Sequence, residues 1–154
     1  MATFNPKTFV KPSDTELKTK LTSLQYSVTQ QDATEEPFNN IYNENKADGI
    51  YVDIVSGEPL FSSTDKYDSG SGWPSFSKTI NENTVVESDD YSKPLIPRVS
   101  VASKHAGSHL GHVFANEALS STGSRYCINS AALRFVPVAD LEKEGYAQYL
   151  VLKH

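Results

Sequence analysis

"IYVDIVSGEPLF", residues 50–61, is the stretch whose reading decides the fold class. Its first half alternates with a period of two, which puts Ile50, Val52 and Ile54 on one face of a strand. "SGEP" then supplies turn chemistry, and "LF" opens a partner strand. Outward from this hairpin the same texture recurs in "TVVES" (84–88), "RVSVAS" (98–103), "HVFA" (112–115) and "YCINSAALRFVPV" (126–138), with Gly, Ser, Asn and Asp clusters between them. No run between them is long enough to be a crossover helix, so antiparallel pairing is expected.

Helical signals lie at the two ends. In "SDTELKTKLTSLQY" (13–26), Ser13 with Glu16 three positions on makes a capping box. Leu17, Leu21 and Leu24 then repeat as one apolar stripe, which predicts an N-terminal helix. A weaker helical piece is expected around Phe38 to Asn45. "ADLEKEGYAQYLVL" (139–152) reads as a short helix stopped by Gly145. Residues 1–12, broken by Pro6 and Pro12, read as a loose lead-in. The expected fold class is α+β with a mainly β core, and residues 1–154 are expected to form one domain.

Composition narrows the function classes. A hydrophobic content of 38% with 21% charged residues suits a soluble globular chain. The apolar runs are strand-sized, so no membrane association is expected. Net charge is −5 with Lys and Arg scattered, which argues against a nucleic-acid partner. "MATFNPKTFVKPSDTE" has no basic-then-apolar secretory pattern, and a single cysteine excludes an internal disulfide; a cytoplasmic location is expected.

That cysteine is Cys127. Alternation places Arg125, Cys127 and Asn129 on a common side, and a guanidinium there favours the nucleophilic thiolate. "HAGSHLGHVF" (105–114) gathers His105, His109 and His112, and a Cys–His pair can activate a weak nucleophile and move protons. "SGSGWPSF" (69–76) holds the single tryptophan, Trp73, in a Gly-rich loop. Each residue also has a plainer reading. A single cysteine is more often a small buried hydrophobe, histidines three apart serve as often in structure, and Trp73 could simply pack a loop. Metal binding fits poorly, since Cys127 and the histidines match no closed-site spacing.

Taken together, "SGEPLFSS" (56–63), "SGSGWPSF", "SHLGHVF" (108–114) and "TGSRYCINSAALRF" (122–135) resemble successive signature blocks of the methionine-R-sulfoxide reductase family, over about Leu21 to Leu150. The resemblance implies two small antiparallel sheets with short helices packed outside. It also implies reduction of the R epimer of methionine sulfoxide in oxidised proteins or peptides, a repair of oxidative damage. Cys127 matches the catalytic cysteine, left as a sulfenic acid after attack on the sulfoxide sulfur. His109 and His112 match the histidines assigned to the sulfoxide oxygen, Asn129 a residue ordering their network, and Arg125 the arginine beside the cysteine. Trp73 matches the ring that meets the substrate methyl, with Phe114 completing an apolar wall. His105 falls outside the matched pair and is expected to be structural or at the surface.

Three departures from the pattern matter. Many relatives bind a structural zinc through two CxxC pairs; here those positions are Asp53, Ser56, Ser103 and Ala106, which cannot form a thiolate site, so no metal is expected. Asn116 stands where relatives more often carry Asp. Ser71 stands where many relatives carry a resolving cysteine, and a hydroxyl cannot exchange with a disulfide. Ser71 is either native to an enzyme recycled from outside or a substitution that removes the resolving thiol. Either way no bound cofactor is expected, and the reductant is an external thiol, thioredoxin or another donor, acting on a monomer. Two rivals predict something else: a binding module that keeps the aromatic pocket without turnover, and a Cys–His hydrolase, which would need an oxyanion hole.

Overall fold

The computed structural model describes residues 4–92 and 97–150. Residues 1–3 of the expected lead-in and Val151 and Leu152 of the expected tail lie outside the described residues. The helices are α1 (Asp14–Lys20), α2 (Ser23–Gln31) and α3 (Val138–Leu141). The strands are β1 (Gly49–Asp53), β2 (Pro59–Ser62), β3 (Lys66–Tyr67), β4 (Ser75–Phe76), β5 (Val85–Asp90), β6 (Arg98–Ser103), β7 (His109–Phe114), β8 (Arg125–Ile128) and β9 (Leu133–Pro137). They form a three-stranded sheet in the order β2-β1-β9 and a six-stranded sheet in the order β3-β4-β8-β7-β6-β5. Every pairing is antiparallel, and the mainly β architecture matches the expectation.

The alternation of "IYVD" divides two cores. Tyr51 faces the larger one, where it meets Leu60, Phe61, Phe76, Val101, Leu110 and Ile128 between the sheets. Phe61 and Phe76 stack there with ring centroids 4.4 Å apart; burying one such side chain contributes roughly 1.5–3 kcal/mol. Ile50 and Val52 face the other way and pack with Val136, Leu141 and Tyr146. Ile54 lies beyond the strand end and is only half-buried. Because both faces of β1 are covered, all five of its residues are buried.

Elsewhere the sequence reading needs correction. The N-terminal helix is two helices. Thr22 forms a full capping box with Gln25 and starts α2, while Leu21 has left the helix with φ −96° and ψ 150°. The expected stripe is therefore cut: Leu17 is buried, whereas Leu24 is 50% exposed. Ser13 does cap α1 by accepting from the Glu16 amide. Residues 38–45 form turns and no helix, with Phe38 at φ 60°. "YCINSAALRFVPV" is two strands in two different sheets, because Ser130–Ala132 wind into a 3₁₀ turn between β8 and β9. The last helix ends at Leu141, and Gly145 instead closes the following turn at φ 88°, donating to the Glu142 carbonyl. The lead-in is anchored too, since the Phe4 ring packs against Phe9 and His105.

Candidate active site

Cross-strand register assembles the site. Ser88, Ser100, His112, Cys127 and Ser75 are successive partners across β5, β6, β7, β8 and β4. Directly opposed residues share a face with Cβ atoms about 5 Å apart, so β7 presents His112 to Cys127. Gly111 permits this approach: a Cβ there would lie 2.0 Å from the Cys127 carbonyl oxygen. A cavity of about 350 Å³ opens beside the pair, lined by Ser71, Trp73, Phe114, Arg125 and Asn129 among others. Of the residues expected at the site, only His109 does not line it.

Burial pushes the Cys127 thiol up, and the Arg125 guanidinium and the Ser71 hydroxyl oppose that rise without cancelling it. Ser71 Oγ lies 3.9 Å from Cys127 Sγ. Arg125 donates from Nε to Glu117 Oε1 at 3.0 Å and sits 4.4 Å above the Phe114 ring, which fixes guanidinium and ring together. Asn116 occupies the left-handed turn conformation, φ 60°, and it is its neighbour Glu117 that supplies the carboxylate for Arg125.

Histidines three apart on a plain strand would face opposite sides. Here the β6–β7 register skips Leu110 between the pairs Val101–Gly111 and Ala102–His109, and this bulge turns His109 toward His112. Their rings meet edge-on with centroids 5.7 Å apart. His109 is buried, which lowers its pKa, and its Nδ1 lies 3.3 Å from Ser100 Oγ. His112 reaches the cavity, with Nε2 2.8 Å from Asp90 Oδ2. His105 sits apart, bonded to Glu58 at 2.9 Å.

Trp73 and Asn129 are held through Glu35, a residue the sequence reading passed over. The Trp73 indole donates to the Glu35 carbonyl at 3.0 Å, and the Glu35 amide donates to Asn129 Oδ1 at 3.0 Å. The Glu35 carboxylate accepts from the Ser130 and Ala131 amides, at 2.5 and 2.9 Å, and so caps the 3₁₀ turn that follows Cys127. Asn129 Nδ2 donates to the Leu110 carbonyl at 3.0 Å. Both ends of its amide are thus spent on backbone, tying β7 and residue 35 to the end of β8. Gly72, at φ 92°, keeps this loop close to Pro37 and Phe38, where a Cβ would fall within 2.7 Å of either side chain. Asp90 and Arg98 were also missed; their only sequence signal is opposite charge at the last residue of β5 and the first residue of β6, which pair with each other.

Of the four positions matching zinc ligands, Asp53 and Ser103 meet directly, through oxygen. Ser103 Oγ donates to Asp53 Oδ2 at 2.6 Å; Ser108 Oγ and the Val55 amide donate to Oδ1 at 3.0 and 2.8 Å. Ser56 accepts from the Glu58 amide, and Ala106 is a buried methyl. One carboxylate already saturated by donors, two hydroxyls and a methyl do not fit a tetrahedral zinc.

Comparison with known proteins places the chain among relatives. Residues 21–137 match the SelR domain. A protein of Vibrio cholerae serotype O1, a peptide methionine sulfoxide reductase MsrA/MsrB, is 57% identical over 148 residues, 96% of this chain. The chain spans 39% of that relative's length.

Proposed function

The chain belongs to the SelR-domain family, the methionine-R-sulfoxide reductases, and from that premise we propose that it is a catalytic domain reducing methionine-R-sulfoxide in oxidised proteins or peptides. The observation that carries the reading is Cys127, set opposite His112 at the wall of a cavity whose other sides include Trp73 and Phe114.

The substrate methyl rests against Trp73 and Phe114, and the oxygen turns toward His112. Exchanging the two, as the S epimer requires, sets an oxygen against apolar rings and away from the proton that His112 delivers, which is the kind of mismatch that discriminates strongly. The Cys127 thiolate attacks the sulfoxide sulfur as the S–O bond is protonated and breaks. The substrate sulfur gains two electrons and leaves as methionine. Cys127 loses two, and the oxygen and the thiol proton end on it as a sulfenic acid. Asn129 acts as scaffold, and His109 backs His112.

Ser71 cannot resolve the sulfenic acid, so recycling falls to an external thiol: a first thiol condenses with loss of water, and a second releases the mixed disulfide. Thioredoxin or a small thiol can fill this part, and either suits a reducing compartment such as the cytoplasm. Among the described residues no helix is long and apolar enough to cross a membrane. The chemistry calls for no bound cofactor.

The test is turnover of blocked methionine sulfoxide, each epimer separately, with dithiothreitol. Consumption of the R epimer alone, abolished by Cys127→Ser, is expected. Equal rates on both epimers, or activity surviving in Cys127→Ser, would refute the proposal.

A further inference from the structure

Asp90 and Arg98 face each other across the β5–β6 pair and meet at the ring of His112. Asp90 Oδ2 lies 2.8 Å from His112 Nε2 and accepts from Arg98 Nη2 at 3.0 Å. Its Oδ1 accepts from the Ser92 amide at 2.9 Å, and Arg98 Nη2 also lies 3.4 Å from Ser92 Oγ. The side chains of Asp90, Arg98 and His112 are 18%, 23% and 12% exposed, so this cluster is largely shielded from solvent. The other titratable groups facing His112 are His109, edge-on from its own strand, and Cys127, opposite on β8.

A carboxylate only accepts hydrogen bonds, so a neutral His112 carries its proton on Nε2. The Ser92 amide and hydroxyl and the His112 ring hold the Asp90 carboxyl well below the usual carboxylate range, which keeps it ionised. Nδ1 of His112 makes no hydrogen bond among the described residues and is left as a lone pair in a ring that lines the cavity beside Cys127. The thiol, raised by burial, arrives protonated and needs a base.

We propose that Asp90, clamped by Arg98, is a positioning residue that fixes His112 in its Nε2–H tautomer, so that Nδ1 takes the Cys127 proton and passes it to the sulfoxide oxygen. The proposal rests on the reductase reading above. The proton leaves Sγ for Nδ1, the freed electron pair forms the bond to the sulfoxide sulfur, and the imidazolium returns the proton from Nδ1 to the departing oxygen. That proton finishes on the sulfenic hydroxyl of Cys127, so nothing beyond thiol and sulfoxide is consumed. Arg98 shares Oδ2 with the imidazole and keeps the carboxylate from turning away. With Asn at position 90 the amide NH₂ can donate to Nε2 instead, which drives the ring proton onto Nδ1 and removes the base.

The experiment combines ¹⁵N spectra of histidine-labelled protein, free of substrate, with single-turnover methionine formation in the absence of reductant. Wild type should show His112 protonated on Nε2 and bare on Nδ1 in its neutral form. Asp90→Asn should move the proton to Nδ1 and slow the single turnover by about a hundredfold with KM nearly unchanged, and Asp90→Glu should recover part of the rate. A wild-type ring protonated on Nδ1, or an Asp90→Asn single turnover as fast as wild type, would overturn the relay alone. Wild type that forms no methionine from either epimer would instead sink the reductase reading, and the relay with it.

Discussion

The Ser71 hydroxyl oxygen stands 3.9 Å from the Cys127 sulfur, where a second sulfur would be within reach of a disulfide after a small rotation. In wild type, one equivalent of substrate without reductant should therefore leave Cys127 heavier by one oxygen. Ser71→Cys should instead end in an intramolecular disulfide, two hydrogens lighter than the reduced protein, and should become a substrate for thioredoxin. Intact-protein mass spectrometry reads both outcomes. A stable sulfenic acid in Ser71→Cys would show that the two positions do not meet.

The thiol pKa gives a second prediction with a definite sign. Burial raises it and Arg125 opposes the rise, so the thiolate fraction grows with pH and its midpoint lies above the value of about 8.5 for an exposed cysteine. Iodoacetamide inactivation should accelerate through the alkaline range accordingly. Arg125→Gln should shift that profile further upward, because removing the guanidinium leaves desolvation less opposed. A downward shift would mean that Arg125 does not act on the sulfur.

The pattern of "IYVDIV" and "RYCINS" was enough to read strands, antiparallel pairing and the faces of β1 and β8, since period two is local information. Where a short-range signal competed with a tertiary one, the reading went astray. Leu17, Leu21 and Leu24 have helical spacing, but Thr22 offers a capping box that restarts the helix, and only the packed fold decides between them. Cys127, Trp73 and Phe114, which all line one cavity, were singled out because their motifs are contiguous. Glu35, Asp90 and Arg98 were not, because each acts through register or through backbone groups far along the chain: Glu35 bonds residues 94 to 96 positions away. His109 was paired with His112 by the resemblance alone, because nothing local reveals the bulge at Leu110 that turns it to the same side.

Glu35 should matter to catalysis despite lying outside the cavity lining. Its carbonyl holds the Trp73 indole, and its carboxylate caps the turn after Cys127. Trp73→Ala removes the ring itself and should cost kcat/KM for the R epimer at least about tenfold, erode the preference over the S epimer, and leave the unfolding midpoint nearly unchanged. Glu35→Ala leaves the Ser130 and Ala131 amides buried without acceptors, a loss of roughly 1–3 kcal/mol for each such group. It should therefore lower both stability and kcat. Comparing epimer-resolved kinetics with denaturation curves for the two variants separates the effects; a Trp73→Ala variant with wild-type epimer ratio would remove the ring from the substrate.

The oxygen cluster at Asp53 should behave as a structural tie between the β1–β2 and β6–β7 turns, with a recognisable pH signature. Burial raises the Asp53 pKa; the Ser103 hydroxyl, the Val55 amide and the Ser108 hydroxyl oppose it. The folded chain then holds that proton more tightly than the unfolded chain. The contribution to stability is full below the unfolded aspartate value of about 3.9 and is lost as pH rises through the raised folded value. Asp53→Asn can still accept from Val55 and Ser108 and donate to Ser103, but it does not titrate. Chemical denaturation as pH rises above about 4 should show stability falling more steeply in wild type than in Asp53→Asn. Asp53→Ala, which strands three donors, two of them buried, should be less stable than either by about 3 kcal/mol at neutral pH. Parallel pH slopes for wild type and Asp53→Asn would show that Asp53 titrates at its ordinary value.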